Sequence, residues 1–241
     1  MRTPDSRFYC PQIGVGTFTL DENESSHAVR VCRATAGDTL ELCDGLGHFA
    51  DATIVKADPK ACEVRIDKFD TVSTERPKLN LAIACLKDDA LEEVVFHAAQ
   101  TEIDTIYFLR TDFSQEPKNS DLHKLIRRAE LKSLVSLKQS KKPWLTQIKG
   151  PIEFDKWLGD YSGNLVLCDI DGESSLPTVT ARMASGNTKP VTLLIGPEGG
   201  FSPREIELAK KFQAGKTELL KLGNTRLRAR TAAIVALGKL L

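Results

Sequence analysis

The chain has no C-x-x-C pair, no H-x-x-x-H or H-E-x-x-H spacing, and no apolar run approaching membrane-spanning length. Its six cysteines, Cys10, Cys32, Cys43, Cys62, Cys85 and Cys168, are scattered singly. That spacing argues against structural zinc. No signal peptide is evident, so disulfides are not expected and the cytoplasm is the default compartment. The four histidines, His27, His48, His97 and His123, lie far apart, and no metal site is expected from them. There is no G-x-S-x-G elbow and no cysteine with an obvious partner, so hydrolysis lacks its usual nucleophile. Internal repeats and low-complexity segments are also absent. Neither sign of charge dominates: 33 basic and 33 acidic residues give a net charge of +0. A uniform basic surface is therefore excluded, but a local basic patch is not.

What is present is an ordinary globular composition, 41% apolar, in a chain of 241 residues. That length holds one large domain or two of common size. Residues 7–72 read as short strands. Arg7-Phe8-Tyr9-Cys10 opens the series, and residues 38–42, 48–56 and 63–69 alternate apolar and polar positions. Asp44-Gly45-Leu46-Gly47 reads as a hairpin loop, residues 14–16 and 21–23 as turns, and residues 27–33 as one short helix. Short, closely spaced strands suggest a small β-barrel of the kind that binds oligonucleotides. Thr74-Glu75-Arg76-Pro77 reads as a linker. Beyond it, apolar strands at 79–86, 105–109, 164–170, 190–195 and 217–222 alternate with helices. One helix is capped by Asp88 or Asp89, one spans 121–138, and the last spans 231–241. That alternation predicts an α/β domain with a mainly parallel sheet.

Charge is unevenly placed. Lys124, Arg127, Arg128, Lys132, Lys138, Lys141 and Lys142 are opposed in their segment only by Asp121 and Glu130. Lys221, Arg226, Arg228 and Arg230 follow near the end. Two basic segments on a neutral chain point to a polyanionic partner, with a solvated helix face as the plainer alternative.

The rest of the chain is organised around residues 192–204, T-L-L-I-G-P-E-G-G-F-S-P-R. An apolar strand runs into a glycine turn (Gly196, Gly199, Gly200) stiffened by Pro197. Ser202, Pro203 and Glu205 then form a capping box with proline at the first helical position. The turn lacks the lysine of a G-x-x-x-x-G-K-[ST] loop and the spacing of G-x-G-x-x-G. With a second glycine loop at Leu222-Gly223-Asn224 and arginines beside it, the set suits a neutral or cationic cofactor and a phosphate-bearing substrate. A tight strand-to-helix connection with no ligand remains the alternative at this point.

Ile195-Gly196-Pro197-Glu198-Gly199-Gly200-Phe201-Ser202 resembles the I-G-P-E-G-G-[FL]-[ST] signature of the RsmE-type ribosomal RNA uridine-N3 methyltransferases. These enzymes belong to the SPOUT class and depend on S-adenosyl-L-methionine. The resemblance covers almost the whole chain in order. Arg7-Phe8-Tyr9 fits the opening R-F-F. His27-x-x-x-Val31-Cys32-Arg33 with Gly37-Asp38 fits H-x-x-x-V-L-R…G-D, and Asp44-Gly45-x-Gly47 fits D-G-x-G. Lys138-Gln139-Ser140 and Leu222-Gly223-Asn224-Thr225-Arg226-Leu227-Arg228 match the Q-S and L-G-x-x-I-L-R segments. Three positions depart from the pattern. Gln100-Thr101-Glu102-Ile103 stands for E-L-G-V, Arg230 for a glutamate, and Thr146 for a proline.

The resemblance implies a PUA-like β-barrel over residues 1–73 and a SPOUT-like, trefoil-knotted α/β domain over residues 74–241. It implies an S-adenosyl-L-methionine site built by Leu167, by Ile195, Gly196, Pro197, Glu198, Gly199 and Gly200, and by Leu222, Gly223 and Leu227. It implies a small-subunit ribosomal RNA substrate and a homodimer, and neither membrane nor metal; Ile234, Val235 and Leu237 of the last helix serve the dimer contact or, as the plainer alternative, intrachain core. Arg228, then Arg7, are the candidates to stabilise negative charge on the uracil. Arg30, Arg33, Arg127, Arg128, Lys141 and Lys142 are candidates for RNA backbone contact. Three rivals stay open: a non-catalytic RNA-binding homologue, an enzyme of the same class with another target nucleotide, and an α/β enzyme using a different adenosine ligand.

Overall fold

The computed structural model describes residues 7–73, 76–86, 90–115, 119–172, 189–212 and 216–240. The chain divides into two compact units, Met1–Thr74 with Leu134–Leu145, and Glu75–Ser133 with Thr146–Leu241. Asp88, Asp89, Thr74 and Glu75, to which the sequence assigns caps and linker, lie outside the described residues.

In the N-terminal unit, β1 (Arg7–Tyr9), β3 (Thr39–Cys43), β4 (His48–Lys56), β5 (Glu63–Ile66) and β2 (Gly16–Thr19) lie side by side in that order, and β6 (Asp70–Thr71) pairs with β4. The β1–β3 pair is parallel and the rest are antiparallel. The alternation read from the sequence turns Leu40, Leu42, Ala50, Ala52, Ile54, Val64 and Ile66 inward around Phe8. Two expected turns are in part regular structure. Gly16 opens β2, whose four residues are too few for the alternation to stand out. Glu22 and Asn23 belong to α1 (Glu22–Ser26), because the Asp21 side chain accepts a hydrogen bond from Glu24 N at 2.8 Å and caps the helix. A π-helical turn, His27–Val31, follows.

Residues 134–145 belong to this unit although they lie far along the chain. Leu145 N donates to Gly45 O at 2.9 Å, Gly47 N donates to Pro143 O at 3.1 Å, and Leu46 bridges to Trp144. Lys138 Nζ meets the buried Glu24 carboxylate at 2.5 Å.

The second unit is an α/β sandwich. Its strands are β7 (Leu79–Ala84), β8 (Ile103–Arg110), β9 (Gln147–Glu153), β10 (Asn164–Cys168), β11 (Val191–Ile195) and β12 (Thr217–Leu220). They form one sheet in the order β12-β10-β11-β7-β8-β9, with every pair parallel. The helices are α2 (Ala90–Ala98), the part of α3 (Asn119–Ser140) up to Ser133, α4 (Phe154–Asp160), α5 (Pro203–Lys210) and α6 (Ala229–Leu240). Every residue of β7 and β11 is buried. This is why both read as near-continuous apolar runs, broken only by Asn80 and Thr192, which pair with each other at 3.2 Å. One core holds Leu81, Ile83, Leu193 and Ile195 under α2, α3 and α6. The opposite core holds Ala82, Leu194, Leu165 and Leu167 with Phe154, Trp157 and Phe201. The sequence does not announce β9 (Q-I-K-G-P-I-E). It is an edge strand, so polar residues and Pro151 are tolerated there.

Candidate functional site

The carboxyl ends of β10, β11 and β12 open on one cavity of about 380 Å³. A ligand crevice at the carboxyl edge of a parallel sheet is the expected place for a binding site, and the volume is in the range of small-molecule pockets. Three loops wall it, one from each strand. The first carries Cys168, Asp169, Ile170 and Asp171. The second carries Ile195, Gly196, Pro197, Glu198, Gly199, Gly200 and Phe201. The third carries Leu222, Gly223, Thr225, Arg226 and Leu227, and Ala229 and Ala232 of α6 close the side.

The glycine turn is held from within and from behind. Gly200 N donates to Pro197 O at 2.8 Å, and Gly200 has φ +77°. Gly196 is required by close approach. A Cβ there would lie 3.0 Å from the Gly200 carbonyl carbon and from Phe201 N. Behind the turn, α5 starts as the sequence predicts. Ser202 is the N-cap, Pro203 stands in the first turn, and Ser202 and Glu205 exchange hydrogen bonds in a capping box. The fully buried Glu205 carboxylate also accepts from Asp112 N at 2.9 Å. Asp112 accepts from Ser202 Oγ at 2.5 Å and from Arg204 Nη2 at 2.8 Å. The Arg204 guanidinium, helped by the Ser202 hydroxyl, holds the Asp112 carboxyl below the usual carboxylate range.

Arg226 Nη2 donates to Glu198 O at 3.3 Å and so ties the third loop to the second. Lys239 Nζ, near the end of α6, donates to Leu222 O at 2.7 Å. Arg230 pairs with Glu93 of α2 at 2.7 Å, which anchors the turn of α6 that carries Ala229 and Ala232. Arg230, one of the positions that depart from the resemblance, thus pairs across to a neighbouring helix beside the cavity wall.

The charged side chains of the wall are Asp169, Asp171, Glu198 and Arg226. Three carboxylates against one guanidinium disfavour a polyphosphate and favour a ligand carrying positive charge. Burial pushes the Cys168 thiol up to about 12, which disfavours its reactive thiolate form.

Of the residues named from the sequence for the cofactor, the structure brings together Ile195, Gly196, Pro197, Glu198, Gly199, Gly200, Leu222, Gly223 and Leu227 on this cavity. Leu167 is not among them. It is fully buried in the opposite core, and its neighbour Cys168 takes the wall. Asp169, Asp171, Thr225 and Arg226 line the cavity without having been singled out as ligand residues.

Arg228 is exposed, does not line the cavity, and directly precedes α6. Arg7 belongs to the N-terminal unit and is 7% exposed. Its Nε and Nη2 donate to Glu41, its Nη1 donates to Lys142 O, and its guanidinium lies 4.5 Å from the centre of the Phe49 ring. Of the RNA candidates, Arg30, Arg33, Arg127, Arg128 and Lys141 are exposed, whereas Lys142 is 6% exposed. Arg128 pairs with Glu92 at 3.0 Å, and Lys141 pairs with Glu41 at 3.1 Å. Among the described residues no group of three histidines, cysteines or carboxylates could hold a metal ion, and no helix is long and apolar enough to cross a membrane.

Comparison with known proteins agrees with this geometry. Residues 74–241 match the model of an RNA methyltransferase domain, and residues 20–67 match that of an RNA methyltransferase PUA domain. A protein of Mesomycoplasma hyopneumoniae named ribosomal RNA small subunit methyltransferase E is 30% identical over 176 residues, covering 72% of this chain and 74% of its own length. One of the same name from Mycobacterium bovis is 27% identical over 226 residues, covering 91% and 84%. A Legionella pneumophila protein described as a methyltransferase, solved with the cofactor SAM, has a TM-score of 0.83 at 26% identity and covers 100% and 97%. The chain belongs to the RNA methyltransferase family whose members include these small-subunit enzymes.

Proposed function

We propose that this protein transfers a methyl group from S-adenosyl-L-methionine to N3 of a uridine in small-subunit ribosomal RNA. The observation that carries the reading is the cavity at the carboxyl ends of β10, β11 and β12, with its backbone-built glycine turn and its excess of carboxylates. The residues present fit this cofactor. Gly196 leaves the turn open where a Cβ would meet backbone, Ile195, Leu222 and Leu227 supply apolar wall, and Asp169, Asp171 and Glu198 suit a positively charged ligand. When bound, the cofactor supplies an electrophilic methyl group on a cationic sulfur. The names of the relatives and the SAM-bound neighbour from Legionella pneumophila support the same assignment.

The chain's own task is to present a nucleophile. Uridine N3 is an imide nitrogen and reacts poorly while protonated. A fixed positive charge beside the base favours the anion and stabilises the charge it carries into the transition state. Arg228 has that role. It stands at the end of the third cavity loop, and its side chain is exposed. Arg7 is committed to Glu41 and to the Lys142 carbonyl, and a structural role accounts for it. Positioning of the base against the methyl group supplies much of the remaining rate. Arg30, Arg33 and Arg127 hold the RNA backbone, with Arg128 and Lys141 contributing through charges already partly paired. The buried Lys142 takes no part.

The remaining assignments follow the same reading. Residues 1–73 form a PUA-like barrel that binds RNA, and residues 74–241 form a trefoil-knotted methyltransferase domain. The protein acts in the cytoplasm as a homodimer. Ile234 and Val235 of α6 face the partner, whereas Leu237 is spent on the core. Incubation with tritiated S-adenosyl-L-methionine and unmethylated small ribosomal subunits tests the function. Label recovered in the RNA supports it, and label confined to protein or small molecules refutes it.

A further inference from the structure

Among the described residues Phe113 is the most exposed aromatic, at 51%, and the site as described gives it no task. It sits in the turn after β8, at the same carboxyl edge of the sheet as the cavity. That turn is held on several sides. Thr111 N donates to Ser114 Oγ at 3.0 Å and Ser114 N donates to Thr111 O at 3.0 Å. Asp112, the adjacent residue, is fastened to Glu205, Ser202 and Arg204. The side chain rests against the cavity's glycine turn: a Cβ on Gly199 would stand 3.3 Å from Phe113 Cβ and 3.6 Å from its Cγ and Cδ2. No other aromatic ring among the described residues stacks on it.

An apolar ring left in water on a rigid turn, touching the wall of a ligand cavity, is the arrangement used to receive a planar ligand. We propose that Phe113 is the stacking platform for the uracil that accepts the methyl group. The proposal rests on the functional reading above and extends it to a positioning residue for the substrate base. A base reached by an enzyme leaves its own stack, and an aromatic side chain restores that stacking on one face. Stacking constrains the plane of the ring while leaving its N3 edge free. Gly199 matters here because any side chain at that position competes with Phe113 for the same space.

The test is methyl transfer to small ribosomal subunits that lack the modification, with wild type, Phe113→Ala, Phe113→Tyr and Phe113→Trp, alongside calorimetry with S-adenosyl-L-methionine. Phe113→Ala is expected to raise KM for the subunits about tenfold or more, in line with the worth of a base–aromatic stack. Its cofactor affinity should stay within about twofold, since a residue off the cavity wall carries little of that binding. Phe113→Tyr and Phe113→Trp should recover most of the loss. If Phe113→Ala keeps the wild-type KM, or loses cofactor affinity in step with activity, the assignment of Phe113 is overturned while the function stands. A wild type that labels no RNA overturns the functional reading and the proposal together.

Discussion

Arg7 Nη2 stands 2.5 Å from Glu41 Oε1, with both residues on paired strands of the N-terminal unit and Lys141 3.1 Å from the other carboxylate oxygen. Burial pushes the Glu41 carboxyl up, but the hydrogen bonds and charges of Arg7 and Lys141 outweigh it and hold it below its ordinary value. A carboxylate depressed on folding contributes stability that is complete above its unfolded pKa, about 4.3 for glutamate. That contribution is lost as pH falls through the lower folded value. Urea unfolding between pH 6 and pH 3.5 should therefore show a steeper loss for wild type than for Glu41→Gln. Arg7→Ala should cost about 2–4 kcal/mol, because it leaves the Glu41 carboxylate without its main partner and removes the hydrogen bond to the Lys142 carbonyl. A cost near zero would mean that Arg7 is free for another role.

Gly196→Ala forces a methyl group to within 3.0 Å of backbone at Gly200 and Phe201. Backbone cannot rotate away as a side chain can, so the turn must move, at about 1–3 kcal/mol. Cofactor affinity by calorimetry is expected to fall about tenfold or more. Gly223→Ala is the control: it lines the same cavity, but its Cβ meets nothing within 4 Å. Equal effects of the two substitutions would show that crowding of the turn is not what matters.

Arg228→Ala should lower the rate of transfer about 10²–10³-fold, the scale of losing one stabilising donor at a developing anion. Cofactor affinity should be nearly unchanged, because the side chain does not line the cavity. If affinity collapses with rate, Arg228 supports the third loop and the base is stabilised by another group.

Much of this could be read from the sequence, for local reasons. Ser202, Pro203 and Glu205 are contiguous, and a capping box is decided by its own residues, so the start of α5 was legible. The glycine turn was legible because the lack of side chains is itself the signal. Leu167 was misplaced because β10 is buried on both faces. Its apolar run says strand but does not say which alternate residues reach the cavity, and Cys168 does. Asp169 and Asp171 carried no local sign of their role, since a polar residue after a strand is ordinary loop chemistry. The grouping of residues 134–145 with the N-terminal unit depends on pairs such as Lys138 with Glu24, more than a hundred residues apart, which no periodicity reveals. Arg230 reads as a broken motif in sequence, and only the position of Glu93 explains it.

The most direct measurement is the identity of the methylated nucleoside. Small ribosomal subunits from cells lacking this protein are incubated with it and with S-adenosyl-L-methionine bearing a deuterated methyl group, and the RNA is digested to nucleosides for mass spectrometry. The proposed function predicts deuterated 3-methyluridine, produced by wild type and nearly abolished by Arg228→Ala. The label on any other nucleoside, or in none, would contradict it.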